Sequence, residues 1–289
     1  MREQLDSYLK QTFFEQCHVL IRDDGSRDGT RDILEEYHSE YGFEIVFDEN
    51  RGVNKSYQWL INHADCSCDY YALSDQDDVW FPDKLKRAVY ALDKENEDLP
   101  LLYASRSQIV DMDLNFIGKS VMPVYGVGFF NAMLQNVCPG HTQVFNRKML
   151  ELLRKQGTEK AVVFDWWLYL TAAGLGEVCF DDYCTVMHRQ HGGNAVGYGV
   201  HFWQLLLPRL KRFINGDSYK MAAQLQQFAL LNDNKLPDEY RVELSEFLSN
   251  ARNMKTRLSY ISRCRVYRQS WLETACFKAY YLLGKYSAK

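Results

Sequence analysis

Apolar residues change their period repeatedly along the first hundred positions. Leu5 to Gln11 has helical spacing, and Val19-Leu20-Ile21 is a short apolar run that stops at polar Arg22-Asp23-Asp24, as a buried strand would. Asp28 to Tyr41 predicts a helix, with Ser26 or Asp28 placed to cap it. Phe43 to Phe47 predicts a second strand, and Val53, Tyr57, Leu60, Ile61 and Ala64 recur at helical spacing. Tyr70 to Leu73 predicts a third strand, closing on Asp75-Gln76-Asp77-Asp78. Pro82 suits the first turn of a helix whose apolar face is Leu85, Ala88, Val89 and Leu92, and Leu101 to Ala104 predicts another strand. Strands alternating with helices at this spacing imply an α/β fold with a mostly parallel sheet and flanking helices. Ligands of such sheets bind at the carboxyl ends of strands, where both acidic clusters fall.

The middle third is less regular. Asp165 is placed to open and cap a strongly apolar helix, Trp166 to Ala173, ended by Gly174. Two short strands are expected around Val178-Cys179-Phe180 and Thr185-Val186-Met187, followed by a Gly-rich loop after His188. From His201 the pattern is helical to the end, so the chain divides into residues 1–200 and a C-terminal helical segment, 201–289.

Composition changes this picture in two places. Eight cysteines are scattered over 289 residues without a framework, which fits a reducing cytosol better than a disulfide scaffold. Charge is unevenly placed. Arg252 to Lys289 holds nine Lys/Arg against one acid, Glu273, so that tail carries +8 and the remainder −12 of the total −4. With Tyr260, Tyr267, Trp271, Phe277, Tyr280 and Tyr281, the tail reads either as a surface for anionic membrane or as an ordinary solvated helical face. No apolar run is long enough to span a bilayer.

Two strings carry candidate chemistry. Asp75-Gln76-Asp77 is a D-x-D whose carboxylates, in a turn after a buried strand, can hold Mg²⁺ or Mn²⁺ together with substrate phosphates. The plainer alternative is capping of the Pro82 helix. Arg22-Asp23-Asp24-Gly25-Ser26-Arg27-Asp28-Gly29-Thr30 ends the first strand, where a carboxylate can accept the N–H of a pyrimidine base; a turn with a helix cap would use the same residues.

Taken with E-N-R-G-V at Glu49 to Val53, S-D-Q-D-D-V-W at Ser74 to Trp80, F-D-W-W-L at Phe164 to Leu168 and H-R-Q-H-G-G-N-A-V-G at His188 to Gly197, these strings resemble glycosyltransferase family 2, the inverting family with the GT-A fold. The acidic and His-Gly variants are most similar to its rhamnosyltransferase-type members. The resemblance implies a sugar moved from a nucleotide-sugar donor to a saccharide acceptor, expected to be a growing, lipid-linked cell-surface polysaccharide, with Mg²⁺ or Mn²⁺ as cofactor. It implies Asp24 and Ser26 at the nucleotide base, Asp75 at the donor ribose or sugar, Asp77 on the donor and the metal, Asp165 as catalytic base, and His191 near the metal or diphosphate, with His188 the competing histidine. Phe164 stands where the family keeps a second acid, so the base rests on Asp165 alone. A cytoplasmic enzyme, peripheral on the inner face of the membrane, is the corresponding expectation. A nucleotidyltransferase and a non-catalytic sugar-binding relative are the alternatives; neither a basic phosphate loop nor loss of the acidic residues is seen to support them.

Members of the family open with a strand of the type V-S-V-I-I-P-T-Y-N-G. Here Met1 falls inside the helix that follows it, so the expected sheet lacks its first strand, through truncation or a misassigned start, with two neighbours left unpaired and donor binding weakened.

Overall fold

The computed structural model describes residues 1–159, 161–190, 218–250 and 253–286. These gather into two compact units that interleave along the chain: Met1–Ser120, Gly140–Glu159 and Cys179–Gln190 in one, and Val121–Pro139, Lys160–Val178 and His191–Lys289 in the other.

The first unit holds the predicted alternation. Helix α1 (Arg2–Leu9) leads to β1 (Leu20–Asp23), α2 (Thr30–Tyr41), β2 (Glu44–Phe47), α3 (Val53–His63) and β3 (Tyr70–Ala72). Then follow β4 (Val79–Trp80), α4 (Lys84–Leu92), β5 (Leu101–Val110) and β6 (Phe116–Lys119). Helix α2 stops because Gly42 adopts a left-handed conformation, φ 72°, and its N–H returns to His38 O. Asp28 accepts from Thr30 N at 3.0 Å at the start of α2, whereas the Ser26 N–H donates to Asp23 instead.

The α/β class is as expected, and the sheet is mixed. Strands β1 and β2 pair parallel, Leu20 opposite Glu44 through Asp23 opposite Phe47. A six-stranded sheet has the order β3-β7-β5-β8-β4 with β6 on β5, where β7 is Val144–Asn146 and β8 is Glu177–Arg189. Its pairs β3/β7, β5/β7, β5/β6 and β4/β8 are antiparallel. Asn146 locks this sheet to its neighbours: it caps α6 (Arg147–Gln156) through Met149 N and accepts from Leu101 N, both at 3.0 Å.

Strands β1 and β3 belong to separate sheets. Val19 O and Asp23 O accept from β2, and Asp69 O and Leu73 N bond to the β7 side. By the alternation of backbone groups along a strand, Leu20 and Arg22 of β1, and Tyr70 and Ala72 of β3, face away from those partners. Ile21 and Ala72 nevertheless pack on one apolar cluster with Leu5, Tyr8, Leu34 and Phe43.

The second unit is helical. It contains α5 (Phe129–Ala132), α7 (Phe164–Leu175), α8 (Ser218–Asn232), α9 (Asp238–Asn250), α10 (Met254–Ile261) and α11 (Trp271–Leu282). Gly174 does not end α7. A Cβ there would meet Phe228, Leu236 and Phe129 at 3.0–3.1 Å, so this glycine admits three large side chains against the helix. Tyr260, Phe277 and Tyr281 of the tail are fully buried, packing with Phe247 and Tyr286. Half of the aromatics that suggested a lipid-facing tail therefore belong to a core, while Trp271 stays 72% exposed. No helix among the described residues is long and apolar enough to cross a membrane.

Candidate functional site

Two loops that follow strands in the first unit are cross-braced. The Arg22 side chain is completely buried at the end of β1. Its guanidinium reaches Asp24 and donates to Ser56 Oγ at 2.7 Å, Asp48 at 3.0 Å and Glu49 O at 2.9 Å. Asp24 in turn accepts from the backbone N–H of Arg51 and Gly52, each at 2.8 Å. Burial alone would raise the Asp24 carboxyl, but Arg22 and those two amides hold it down at about 2. Gly25, at φ 85°, lies so close to the second loop that a Cβ would sit 2.9 Å from Asn50 N. The R-D-D-G-S and E-N-R-G-V strings thus form one structure, with Asp24 as its clasp. Arg22 and Asp48 were not singled out from the sequence; an arginine ending an apolar strand beside two aspartates is the signal that was there.

The D-x-D turn is held just as firmly. Tyr57 of α3 donates to Asp75 Oδ1 at 2.7 Å and to Ser74 O at 3.2 Å, and Gln4 of α1 donates to Asp75 O at 3.1 Å. Asp75 and Asp77 are half-buried, whereas Asp78 is wholly buried. Asp78 anchors the turn to β8, accepting from His188 Nδ1 at 2.9 Å and Arg189 N at 3.3 Å. His141 stacks on His188, ring centroids 4.5 Å apart and 2° from parallel. Its Nδ1 lies 3.6 Å from Asp78 Oδ2 and 3.9 Å from Asp75 Oδ2. Burial lowers the His141 imidazole to about 4, against the attraction of Asp78, while the hydrogen bond to Asp78 raises His188. Below them the fully buried Lys84 donates to His141 O at 2.7 Å and lies 3.6 Å from the Trp80 ring centre; burial lowers its ammonium.

This arrangement concentrates carboxylate and imidazole at one turn. Asp78, His141 and His188 each bring a ligand atom within 4.8 Å of the others, and Asp78 Oδ2 is buried without a hydrogen-bond partner. Half-buried Asp75 and Asp77 add oxygens of the type hard cations take. The donor set fits a divalent cation.

The glycosyl transferase family 2 profile matches residues 1–153. The chain belongs to this family. It is a glycosyltransferase, and it is 29% identical over 216 residues to the dTDP-rhamnosyl transferase RfbG of Shigella flexneri, covering 70% of this chain and 72% of that one. It is 32% identical over 96 residues to the putative glycosyltransferase EpsE of Bacillus subtilis (strain 168), covering 32% of this chain and 34% of that one. Among solved structures, S. aureus TarS 1-349 superposes with a TM-score of 0.53 at 15% identity, covering 99% of this chain and 84% of TarS 1-349. The same fragment in complex with UDP gives 0.52 at 14% identity, with the same coverage. These likenesses to TarS concern the fold.

The remaining expected site residues stand as follows. Asp24 and Ser26 lie at the braced β1 loop, and Asp75 and Asp77 in the acidic turn. Asp165 lies in the second unit. It sits in the first turn of α7 and is not its cap: Val163 holds that position, and Asp165 Oδ1 accepts from Trp166 N at 2.7 Å. A carboxylate there is favoured by the helix dipole. Asp165 also helps raise the buried Cys138 thiol, after burial itself. His191 falls outside the described residues.

Proposed function

We propose that this glycosyltransferase inverts at the anomeric carbon and moves rhamnose from its nucleoside-diphosphate donor to a hydroxyl of a growing, lipid-linked cell-surface polysaccharide. The observation that carries the reading is the acidic turn, pinned by Tyr57, Gln4 and His188 so that Asp75 and Asp77 are presented at a strand end. Asp24 and Ser26 are assigned to the nucleotide base and Asp75 to the donor sugar. Asp77, with His191, is assigned to a Mg²⁺ or Mn²⁺ ion, which when bound neutralises charge on the departing diphosphate. Asp165 takes the proton from the acceptor hydroxyl, which displacement through an oxocarbenium-like state requires of a general base. The name of the Shigella relative supports rhamnose and a dTDP donor, and the UDP complex of TarS supports a nucleoside-diphosphate site. A cytoplasmic location, peripheral on the inner face of the membrane, would bring such an enzyme to its acceptor.

The test is a donor panel. dTDP-rhamnose, UDP-glucose and UDP-N-acetylglucosamine are each incubated with the protein, a lipid-linked saccharide and Mn²⁺, and nucleoside diphosphate and inorganic diphosphate are measured separately. Nucleoside diphosphate released with dTDP-rhamnose, and a product of inverted anomeric configuration by NMR, are expected. Retained configuration overturns the inverting mechanism, preference for a UDP-sugar overturns rhamnose, and release of inorganic diphosphate overturns glycosyl transfer.

A further inference from the structure

Asp165 is assigned to proton transfer, so whatever fixes its carboxylate in place matters to the reaction. A misplacement of about 1 Å can cost about a hundredfold in rate. The residue sits in the first turn of α7, whose backbone ladder begins with Trp167 N on Val163 O at 3.0 Å. On its carboxyl-terminal side this turn is held by the body of the unit: Trp166 Nε1 donates to Ala132 O at 2.7 Å, and Trp167 and Leu168 are fully buried. The approach to the helix is held differently. The N–H groups of Val162 and Val163 lie ahead of the ladder and have no acceptor within it. Both donate to one atom, Gln224 Oε1 of α8, at 3.2 and 3.1 Å. Only the carbonyl end of a glutamine can face two N–H groups, and its two lone pairs match two donors, so the orientation of the amide follows from its partners. Gln224 is 2% exposed, whereas Val163 is 39% exposed. Side-chain packing therefore gives Val163 little support, and the buried glutamine behind its backbone supplies it.

We propose that Gln224 is a positioning residue for the transfer reaction: by holding the chain at Val162 and Val163 it sets the angle at which α7 starts, and so the place of the Asp165 carboxylate two residues on. This rests on the reading of Asp165 as the base. Asp165 Oδ1 is tied to Trp166 N at 2.7 Å, so the carboxylate follows the backbone of this turn and has little freedom of its own to make good a shift. Gln224 acts through Asp165 and not on the donor, so its loss falls on turnover and leaves nucleotide affinity alone.

Gln224→Met keeps length and volume but offers no oxygen, whereas Gln224→Glu keeps an oxygen that accepts from both N–H groups. Each is made alone, and Gln224→Met also in an Asp165→Asn background. Turnover is measured with whichever of dTDP-rhamnose, UDP-glucose and UDP-N-acetylglucosamine the wild-type chain uses fastest, with a lipid-linked saccharide and Mn²⁺. Affinity for the matching nucleoside diphosphate is titrated directly. Gln224→Met should lower kcat at least tenfold with nucleotide affinity within about threefold of wild type, and Gln224→Glu should recover most of that loss. In the Asp165→Asn background Gln224→Met should lower kcat no further, since a base that is absent cannot be misplaced. Wild-type kcat in Gln224→Met, equal losses in the Met and Glu variants, or a further tenfold loss in the double variant overturns the inference. So does nucleotide binding that weakens along with kcat. If Gln224→Met does not fold, Gln224→Asn, one methylene too short to reach either N–H, takes its place under the same outcomes. Wild-type turnover in Asp165→Asn removes the base reading and this inference with it, whereas a slow Asp165→Asn beside a fully active Gln224→Met removes the inference alone.

Discussion

The clasp at Asp24 makes a prediction that can be followed from geometry to measurement. Asp24→Asn preserves shape but replaces one carboxylate oxygen by an N–H donor facing the amides of Arg51 and Gly52, and removes a negative charge from the buried Arg22 guanidinium. The fall of the carboxyl from 3.8 to about 2 corresponds to roughly 2.5 kcal/mol favouring the ionised form. Because the side chain is 26% exposed, solvent screening reduces its effect on stability to about 1.5 kcal/mol. The folded value lies below the unfolded one, so this stabilisation is fully present above about pH 4 and is lost as pH falls through about 2. At pH 6, Asp24→Asn should lower Tm by about 3–6 °C, at roughly 2–4 °C per kcal/mol for a unit of this size. Between pH 4 and pH 2 the wild-type curve should descend toward the variant's, because protonation does to Asp24 what the substitution has already done. Equal Tm at pH 6, or parallel curves over the acid range, would refute the clasp. Nucleotide affinity measured well below Tm then separates the two roles. A folded variant that binds dTDP at least tenfold more weakly has lost a base contact, whereas unchanged affinity confines Asp24 to bracing the Glu49–Val53 loop.

Asp77→Ala should abolish transfer and remove the rise in Tm that Mn²⁺ with nucleoside diphosphate produces by mass action; full activity in excess chelator would show the reaction needs no metal. Asp165→Asn keeps an acceptor for Trp166 N but cannot take a proton, so turnover should fall at least a hundredfold with near-normal donor affinity, read from kcat and from direct titration. Gly25→Ala should cost about 2 kcal/mol in chemical denaturation, because φ 85° disfavours any side chain and the new Cβ would press on Asn50 N; a change under about 0.5 kcal/mol would mean the two loops are not braced. Anionic vesicles should co-sediment the protein at low salt more than neutral ones, at about 1 kcal/mol per Lys or Arg near the surface; equal partitioning to both, or none, would favour self-association of the tail.

What was legible in the sequence was whatever depended on neighbours in the chain. The short strands β1, β2 and β3 and the helices between them follow from local periodicity, and both acidic strings were correctly placed at strand ends. Elements whose partners are remote were misread. β5 continues six residues beyond Ala104, because the polar side chains of Ser105, Arg106 and Ser107 find distant partners: Thr185, the Ser120 carbonyl and His141. β8 is one strand of 13 residues and not two, since Asp181 in its middle is paired with Arg87 and Tyr103. β4, only two residues long, has no period to detect.

The same distinction between local and remote partners governs the tail and the site. Counting charge and aromatic residues from Arg252 onward treats every side chain as surface. Yet Tyr260 donates to Glu243 at 2.6 Å and Tyr281 to Phe247 O at 2.6 Å, so those two rings are consumed inside the helical unit. A lipid contact would have to be made by what stays outside, Trp271 and Leu283 among the apolar groups and the basic side chains around them. In the acidic turn the consequence is reversed. Asp75, Asp77 and Asp78 look alike in the sequence, but a turn places alternate side chains in different surroundings. Asp78 is drawn inward by His188 and Arg189, residues more than a hundred positions away, and that anchoring leaves Asp75 and Asp77 as the two carboxylates presented toward solvent. The third aspartate therefore shapes the site by being buried.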